Sequence, residues 1–252
     1  MSGRYSESAL ADVTTNLWKA PSLGLTFVPS VYQRAFFDAV AANRGNYVVD
    51  AVAGSGKSTS IEKALPYVRN GAWTTILAFG HDVAKEWKEV RLPRVFAEHP
   101  ELEQRLFSAK TFHSACHGTI AKHLGVRPYE LEADGRKSRT LFRDMVSEED
   151  NALYSDYVVK LIGLAKGDGI GCLVPDTDQA WWNLVEHHDL YLSSREADEG
   201  TALMYARDLL KKSNEVAKGL HGRPPWIDFD DMLYLVILWK LRLFQVDVLF
   251  VD

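Results

Sequence analysis

The sequence predicts an α/β fold, in which a parallel sheet is covered by helices and carries a mostly helical insertion. In the first half of the chain, short apolar or β-prone runs are each followed by a helix-compatible segment, a pattern typical of parallel sheets. From about residue 118 to residue 224 the pattern is helical and contains no convincing buried strand. The predicted strands are residues 47–51, 74–79, 106–110 and 246–251.

Composition excludes several classes of protein. A chain of 252 residues that is 46% hydrophobic and 25% charged is typical of a globular protein rather than a disordered one. Its longest uncharged apolar run, residues 232–239, is far shorter than the roughly 20 residues that cross a bilayer. Residues 1–20 lack the apolar core of a secretory signal. We therefore expect no membrane partner.

Cysteine content and charge narrow the expected compartment and partners. Cys116 and Cys172 are too few for a disulfide framework, which favours a reducing compartment. We expect a cytoplasmic location, or the nucleoid or nucleus if the source is eukaryotic, and we expect that the protein is not secreted. The net charge of −5 excludes a protein that coats nucleic acid through bulk positive charge, but it permits a local grip on one strand.

Residues 47–59 join an apolar run to a glycine-bearing loop and then to a helix-compatible segment. Polyphosphate is held by converging backbone N–H groups, and Gly54 and Gly56 let the backbone approach it closely. Lys57 is expected to place its ammonium on the outer phosphates, and the Ser58 hydroxyl to join the coordination shell of Mg²⁺. The sequence thus predicts a phosphate-binding loop. The alternative is a glycine turn that binds nothing, but it would not require a strand before the loop and a helix after it.

Two further segments lead from a strand end into a helix. Residues 76–86 and 109–114 lie at the carboxyl edge of the predicted sheet, where open α/β folds bind ligands. The rings of Phe79 and Phe112 could stack on bases there. In the alternative interpretation both phenylalanines belong to the core, and Thr111 caps a helix.

Two other features are ambiguous on their own. The Gln33 amide carries a donor and an acceptor, which match the edge of adenine, although an isolated glutamine at a helix start is usually a solvated surface residue. Asp228, Asp230 and Asp231 begin an apolar helix. Such acids either cap the helix and compensate its dipole, or form a metal cluster. The chain turns apolar too soon after them for a calcium loop.

In this order, the segments resemble the N-terminal part of a superfamily 1 DNA helicase of the UvrD/Rep type. The D-F-D-D-M-L stretch and the Phe79 segment look closer to the branch with F-box helicases and phage relatives than to the housekeeping repair enzymes. The matching stretches are Gln33 as the Q motif, A-x-A-G-S-G-K-S as motif I, L-A-F-G-H-D-V-A-K-E as motif Ia, T-F-H-S as motif Ib and D-F-D-D-M-L before motif II. Ala51 is a usual substitute for the first loop glycine in that family. The resemblance covers roughly residues 25–125 and 225–252.

The resemblance implies a domain organisation. Residues 25–117 and 225–252 are expected to form a RecA-like P-loop NTPase domain, subdomain 1A. Residues 118–224 are expected to form the helical subdomain 1B, which contacts duplex DNA in the family. Residues 1–24 would be a polar extension.

The resemblance also implies the roles of individual residues. Gln33 would read adenine, Lys57 would stabilise charge on the transferred phosphoryl group, and Asp252 would hold Mg²⁺ together with Ser58. Thr59 stands where many relatives have an arginine that stacks on adenine, so nucleotide selectivity stays open. The loop residues assigned to ATP are Ala53, Gly54, Ser55, Gly56, Lys57, Ser58 and Thr59, and the catalytic residues are Lys57 and Asp252. The residues assigned to single-stranded DNA are Phe79, His81, Thr111, Phe112, His113 and Ser114.

The expected function is the ATP-binding and single-strand-contacting part of an ATP-dependent DNA helicase or translocase, moving 3′ to 5′. Its expected partners are single-stranded or partly duplex DNA and a C-terminal helicase half, from the same gene or a separate chain. In the family a catalytic glutamate follows the motif II aspartate, whereas this sequence ends at Asp252. We therefore expect the 252-residue chain to bind ATP without appreciable hydrolysis.

Two alternatives stay open at this point. One is a non-catalytic nucleotide- and DNA-binding subunit of a two-piece helicase. The other is an unrelated P-loop kinase. T-F-H-S and Gln33 weigh against the kinase, because an enzyme acting on small molecules needs neither.

Overall fold

The computed structural model describes residues 27–219 and 224–252. The predicted polar extension at residues 1–24 lies outside these ranges. The described residues form an α/β fold, in which one parallel sheet adjoins a larger assembly of helices.

Three parallel strands form the sheet: β1 at Thr74–Ala78, β2 at Phe107–Thr111 and β3 at Val248–Val251. Their order is β2-β1-β3, so β1 is central, and every residue of β1 is buried. Ala78 at the end of β1 lies opposite Thr111 at the end of β2. Because all three strands run in the same direction, their carboxyl ends lie at one edge of the sheet. The prediction of a parallel sheet is confirmed for these strands.

The predicted strand at residues 47–51 is wrong. This stretch has no regular secondary structure, and Val48 and Val49 expose 96% and 53% of their surface. An extended apolar run becomes a strand only where a neighbouring strand satisfies its backbone groups. None of the strands in the described part of the chain pairs with it.

Helices make up most of the remaining described residues. A π-helical turn at Trp87–Arg91 joins α3 to α4, so these three segments run on without a break. No helix in the two described ranges is both long and apolar enough to cross a membrane. The helices are α1 Val31–Ala42, α2 Lys57–Ala64, α3 His81–Glu86, α4 Leu92–Glu98, α5 Phe112–Leu124, α6 Lys137–Met145, α7 Glu148–Asp168, α8 Asp178–His187, α9 Glu199–Ala217 and α10 Phe229–Leu238.

Two hydrophobic clusters stabilise the fold. The smaller one lies around the sheet and includes Ile76 of β1, Phe250 of β3 and Trp87 of the π-helical turn. The larger one is formed by α5 to α10, with Phe142 and Trp181 fully buried in it. Burial of each large apolar side chain contributes about 1.5–3 kcal/mol.

The larger cluster crosses the predicted domain boundaries. Helix α5 begins before residue 118 and continues beyond it, and α10 packs in the same cluster although it follows residue 225. Within residues 118–219 the only β-type pairing is isolated bridges, so the predicted helical character of this region is confirmed for the part that the structure describes. The division at residues 117/118 and 224/225 stays a prediction.

Candidate functional site

The loop between residues 52 and 57 has a backbone that depends on glycine. Gly54 and Gly56 have φ angles of +76° and +82°, in the left-handed region that other residues rarely adopt. No atom lies within 4 Å of a Cβ built on either residue, so it is the backbone conformation and not crowding that selects glycine here. Gly56 immediately precedes α2 and makes no side-chain cap. The first N–H groups of α2 therefore need acceptors from outside the helix, as at an anion site.

Lys57 folds back over this loop. Its ammonium donates hydrogen bonds to the backbone carbonyls of Ala51 and Val52, both at 3.0 Å. The side chain is exposed. Its flexible stem allows the ammonium to exchange these carbonyls for the oxygens of a phosphate.

Asp252 lies directly beside the loop helix. Its backbone N–H donates to the carbonyl of Leu77 at 2.9 Å, which aligns it with the end of β1 at the carboxyl edge of the sheet. Its Oδ1 accepts a hydrogen bond of 2.8 Å from the Ser58 hydroxyl, across 194 residues of sequence. Its Oδ2 accepts a hydrogen bond of 2.6 Å from Nε1 of Trp87. Each carboxylate oxygen therefore has one donor.

The pair formed by Ser58 and Asp252 fits Mg²⁺ bound to a nucleotide. Mg²⁺ takes oxygen ligands and is usually held by one or two protein groups, with phosphates and water completing its shell. No cluster of three or more His, Cys, Asp or Glu side chains with metal-site geometry occurs in residues 27–219 or 224–252. The two oxygens are thus suited to a metal that arrives with phosphates.

Gln33 is attached to the loop helix rather than free in solvent. It forms a capping box with Ser30 at the start of α1, where the Ser30 N–H donates to Gln33 Oε1 at 2.9 Å. Its Nε2 donates to the Ser60 hydroxyl at 3.0 Å. The structure therefore brings Gln33 next to α2.

The residues predicted to contact DNA lie at the carboxyl edge of the sheet, after β1 and β2. Phe79 follows β1 and exposes 79% of its surface, so the interpretation of Phe79 as a core residue is wrong. His81 is also exposed. Thr111 caps α5 by accepting from the Ser114 N–H at 3.1 Å, which confirms its capping role.

The two residues between Thr111 and Ser114 are partly buried. Phe112 and His113 begin α5, and neither is fully covered. The His113 ring lies 6.5 Å from the ring of Phe229 on α10, between centroids. His113 is thus shared between the sheet edge and the helical cluster.

The acidic start of α10 forms a helix cap in a buried ion cluster. Asp228 and Asp231 make a capping box, which confirms the capping interpretation. Two buried lysines neutralise them: Lys166 lies 2.7 Å from Asp228 and 2.8 Å from Asp231, and Lys137 lies 2.6 Å from Asp231. This cluster joins α6, α7 and α10 and is structural. The sequence gives one indication of this cluster. Lys166 lies on the apolar face of α7, after the buried Ile162 and Ala165.

Burial and pairing act in opposite directions on the pKa values of this cluster. Burial lowers the pKa of Lys137, and attraction by Asp231 offsets this only in part. Burial also opposes the charge of Lys166, but Asp231 and Asp228 outweigh it and raise the Lys166 pKa. For Asp228, burial raises the pKa, but Lys166 and Lys137 outweigh it, and the pKa lies below its ordinary value. Asp228 and Lys166 are therefore charged at neutral pH.

A second set of contacts at the loop helix α2 was not predicted from the sequence. Glu62 of α2 is 3% exposed, and its carboxylate accepts from Arg91 at 2.8 Å and from Arg94 at 3.3 Å. Arg91 belongs to the π-helical turn, as does Trp87. The turn thus contacts both α2 and Asp252.

Comparisons of the chain with protein-family models, with curated proteins and with solved structures gave no match. A functional assignment for this chain therefore depends on its residues and their geometry. The loop, Asp252 and the exposed Phe79 are the features on which it rests.

Proposed function

We propose that this chain is the ATP-binding and single-strand-contacting part of an ATP-dependent DNA helicase or translocase of the superfamily 1 UvrD/Rep type. The observation that carries the proposal is the 2.8 Å hydrogen bond between Ser58 and Asp252. It joins the end of a glycine loop to a carboxylate at the end of a parallel strand. In P-loop NTPases a hydroxyl and a carboxylate paired in this way hold the Mg²⁺ that is bound to the phosphates.

Each residue of the loop has a chemical role in this proposal. The N–H groups at the start of α2 hold the phosphates, and Lys57 neutralises charge on the outer phosphates. Ser58 and Asp252 would hold Mg²⁺, which would neutralise negative charge on the phosphate oxygens. Gln33 lies near enough to α2 to contact the base of the same nucleotide.

The nucleic-acid part of the proposal depends on the carboxyl edge of the sheet. Phe79 exposes 79% of its surface, and it lies at the end of the strand next to Asp252. Base stacking on an aromatic side chain is worth about 1–3 kcal/mol per base and tolerates any sequence. A single strand laid across this edge would contact Phe79 and the segment from Thr111 to Ser114. Nucleotide and strand would then be neighbours, as a motor requires.

A titration of the 252-residue chain with a fluorescent ATP analogue in Mg²⁺ tests the nucleotide site. Lys57→Ala should weaken binding about 10- to 100-fold, because it removes a charge-assisted hydrogen bond to phosphate. Lys63→Ala is the matched control, since Lys63 lies on the same helix and pairs with Glu98 at 2.9 Å near the surface. It should leave binding unchanged. Equal affinity of wild type and Lys57→Ala, or no binding by wild type, would overturn the proposal.

A further inference from the structure

The π-helical turn at Trp87–Arg91 lies within the continuous helical segment that runs from α3 to α4. Such turns are rare, and they occur mostly as single bulges at functional sites. By widening the helix by one residue, the turn changes the direction of the side chains that follow. In this chain two of its residues contact the elements of the candidate nucleotide site.

Trp87 is the first of these residues. Its side chain is fully buried, and its Nε1 donates to Oδ2 of Asp252 at 2.6 Å, over a sequence separation of 165 residues. The other oxygen of Asp252 accepts from Ser58. With one donor on each oxygen, the carboxylate cannot rotate without losing a hydrogen bond.

Arg91 is the second. Its guanidinium lies 2.8 Å from Glu62 and 2.7 Å from Glu86, and its Cζ lies 5.3 Å from the Trp87 ring. Glu62 lies on the loop helix α2 and is almost completely buried. A single turn therefore fixes the indole relative to the helix that carries Ser58.

An indole N–H is suited to hold a metal-binding carboxylate. It is a donor only and stays neutral, so it occupies one oxygen without protonating the group or competing for the metal. The other oxygen accepts the hydrogen bond from Ser58. Groups that orient a metal ligand in this way affect metal affinity without touching the metal.

We propose that Trp87 is a positioning residue, which holds Oδ2 of Asp252 so that Oδ1 faces Ser58, the residue with which Asp252 would hold Mg²⁺. This inference rests on the proposed nucleotide site. Without the indole, the carboxylate could rotate, and it would present its oxygens to the metal in several orientations. Removal of the indole should therefore raise the Mg²⁺ concentration that nucleotide binding requires. It should not change the affinity for nucleotide in the absence of metal.

The test compares Trp87→Phe with Trp181→Phe in the full chain. Trp181 is an apt control, because it too is fully buried and donates from Nε1 to a carboxylate, that of Asp176, at 2.7 Å. The Mg²⁺ concentration that half-saturates binding of the fluorescent ATP analogue should rise about tenfold in Trp87→Phe, as expected for one lost hydrogen bond to a charged group. Affinity in excess EDTA should be unchanged, and Trp181→Phe should behave like wild type in both conditions.

A second measurement does not depend on the folding of Trp87→Phe. The indole ¹H–¹⁵N resonance of Trp87 should shift in Asp252→Asn and again when Mg²⁺ and nucleotide are added, while the resonance of Trp181 stays in place. An unchanged Trp87 resonance would overturn the inference, as would equal Mg²⁺ dependence in Trp87→Phe and wild type, or equal losses in both tryptophan variants. If wild type binds no nucleotide, the proposed function itself fails, together with this role for Trp87.

Discussion

Gln33 donates a hydrogen bond from its Nε2 to the hydroxyl of Ser60 at 3.0 Å, and Ser60 lies two residues after Ser58 on α2. The amide oxygen of Gln33 is also engaged, because it accepts from the Ser30 N–H. The amide can still donate one hydrogen bond through its second N–H and accept one at the second lone pair of its oxygen. Gln33 is therefore held beside the proposed nucleotide site, with one N–H and one lone pair left for hydrogen bonds to a base.

Gln33→Ala should reduce the preference for ATP over GTP, since it removes the paired donor and acceptor that match adenine. The expected loss in the ratio of the two affinities is about three- to tenfold, the size of one or two neutral hydrogen bonds. Competition titrations against the fluorescent analogue measure it. Ser30→Ala is the control, because it removes the helix cap at a cost of about 1 kcal/mol but keeps the amide. If Gln33→Ala weakened ATP binding and GTP binding equally, Gln33 would serve only to connect α1 to α2.

Gly56→Ala should weaken nucleotide binding at least tenfold and lower the urea midpoint of unfolding. The φ of +82° at Gly56 costs a residue with a Cβ about 1–2 kcal/mol, and relief of this strain turns the N–H groups of α2 away from the phosphates. Gly118→Ala in α5 is a matched control, because a Cβ there meets open space and its backbone is helical. It should be neutral or stabilising by up to about 1 kcal/mol. Wild-type affinity in Gly56→Ala would refute a phosphate cradle at this turn.

Phe79→Ala should weaken binding of a fluorescent single-stranded oligonucleotide about 5- to 100-fold, because it removes a stacking platform worth about 1–3 kcal/mol. Trp73→Ala tests the same strand at its other end, since Trp73 precedes β1 and is 55% exposed. Its affinity should match wild type in anisotropy titrations. If Phe79→Ala also matches wild type while Lys57→Ala abolishes nucleotide binding, a P-loop kinase becomes the better interpretation.

Lys166→Met should destabilise the fold by about 3–5 kcal/mol at neutral pH, because it leaves the carboxylates of Asp228 and Asp231 buried with too little positive charge. Urea denaturation measures the loss. Lys160→Met on the same helix replaces an exposed lysine and should have little effect. A loss below about 1 kcal/mol in Lys166→Met would mean that water reaches the cluster.

The same variant should change the response to acid. The pKa of Asp228 lies below its ordinary value of 3.8, so its charge stabilises the fold above that pH, and this contribution disappears as pH falls through the folded-state pKa. Without Lys166, burial raises the pKa of Asp228 with less opposition. Urea midpoints should therefore fall less between pH 7 and pH 3 in Lys166→Met than in Lys160→Met, because protonation of Asp228 then removes a buried charge that has lost its partner.

Local patterning predicts the sheet well where strands have neighbours. The strands at residues 74–79, 106–110 and 246–251 agree with β1, β2 and β3 to within two residues at each end. The run at residues 47–51 has the same apolar character, but pairing is a property of the whole fold, and this run has no partner among the described strands. Hydrophobicity alone could not distinguish the two cases.

The site is predictable in its motifs but not in its supporting contacts. The resemblance to helicases predicts that the glycine loop, Ser58 and Asp252 lie near one another, because it assigns all of them to one Mg²⁺–nucleotide site. Trp87 could not be expected at Asp252, because the two residues lie 165 positions apart and only the packing of the whole fold brings them together. The lysines of the buried cluster likewise come from two other helices.

The irregular segment at residues 46–52 has a thermodynamic consequence for ligand binding. It leads into the loop without sheet hydrogen bonds, and Val48 is almost fully solvated. Holding a polyphosphate requires one conformation of the chain here, and fixing each backbone residue costs about 1–2 kcal/mol of conformational entropy. Nucleotide binding should therefore be driven by enthalpy against an unfavourable entropy, which titration calorimetry would register. The affinity of the loop then depends as much on ordering this approach segment as on the charge of Lys57.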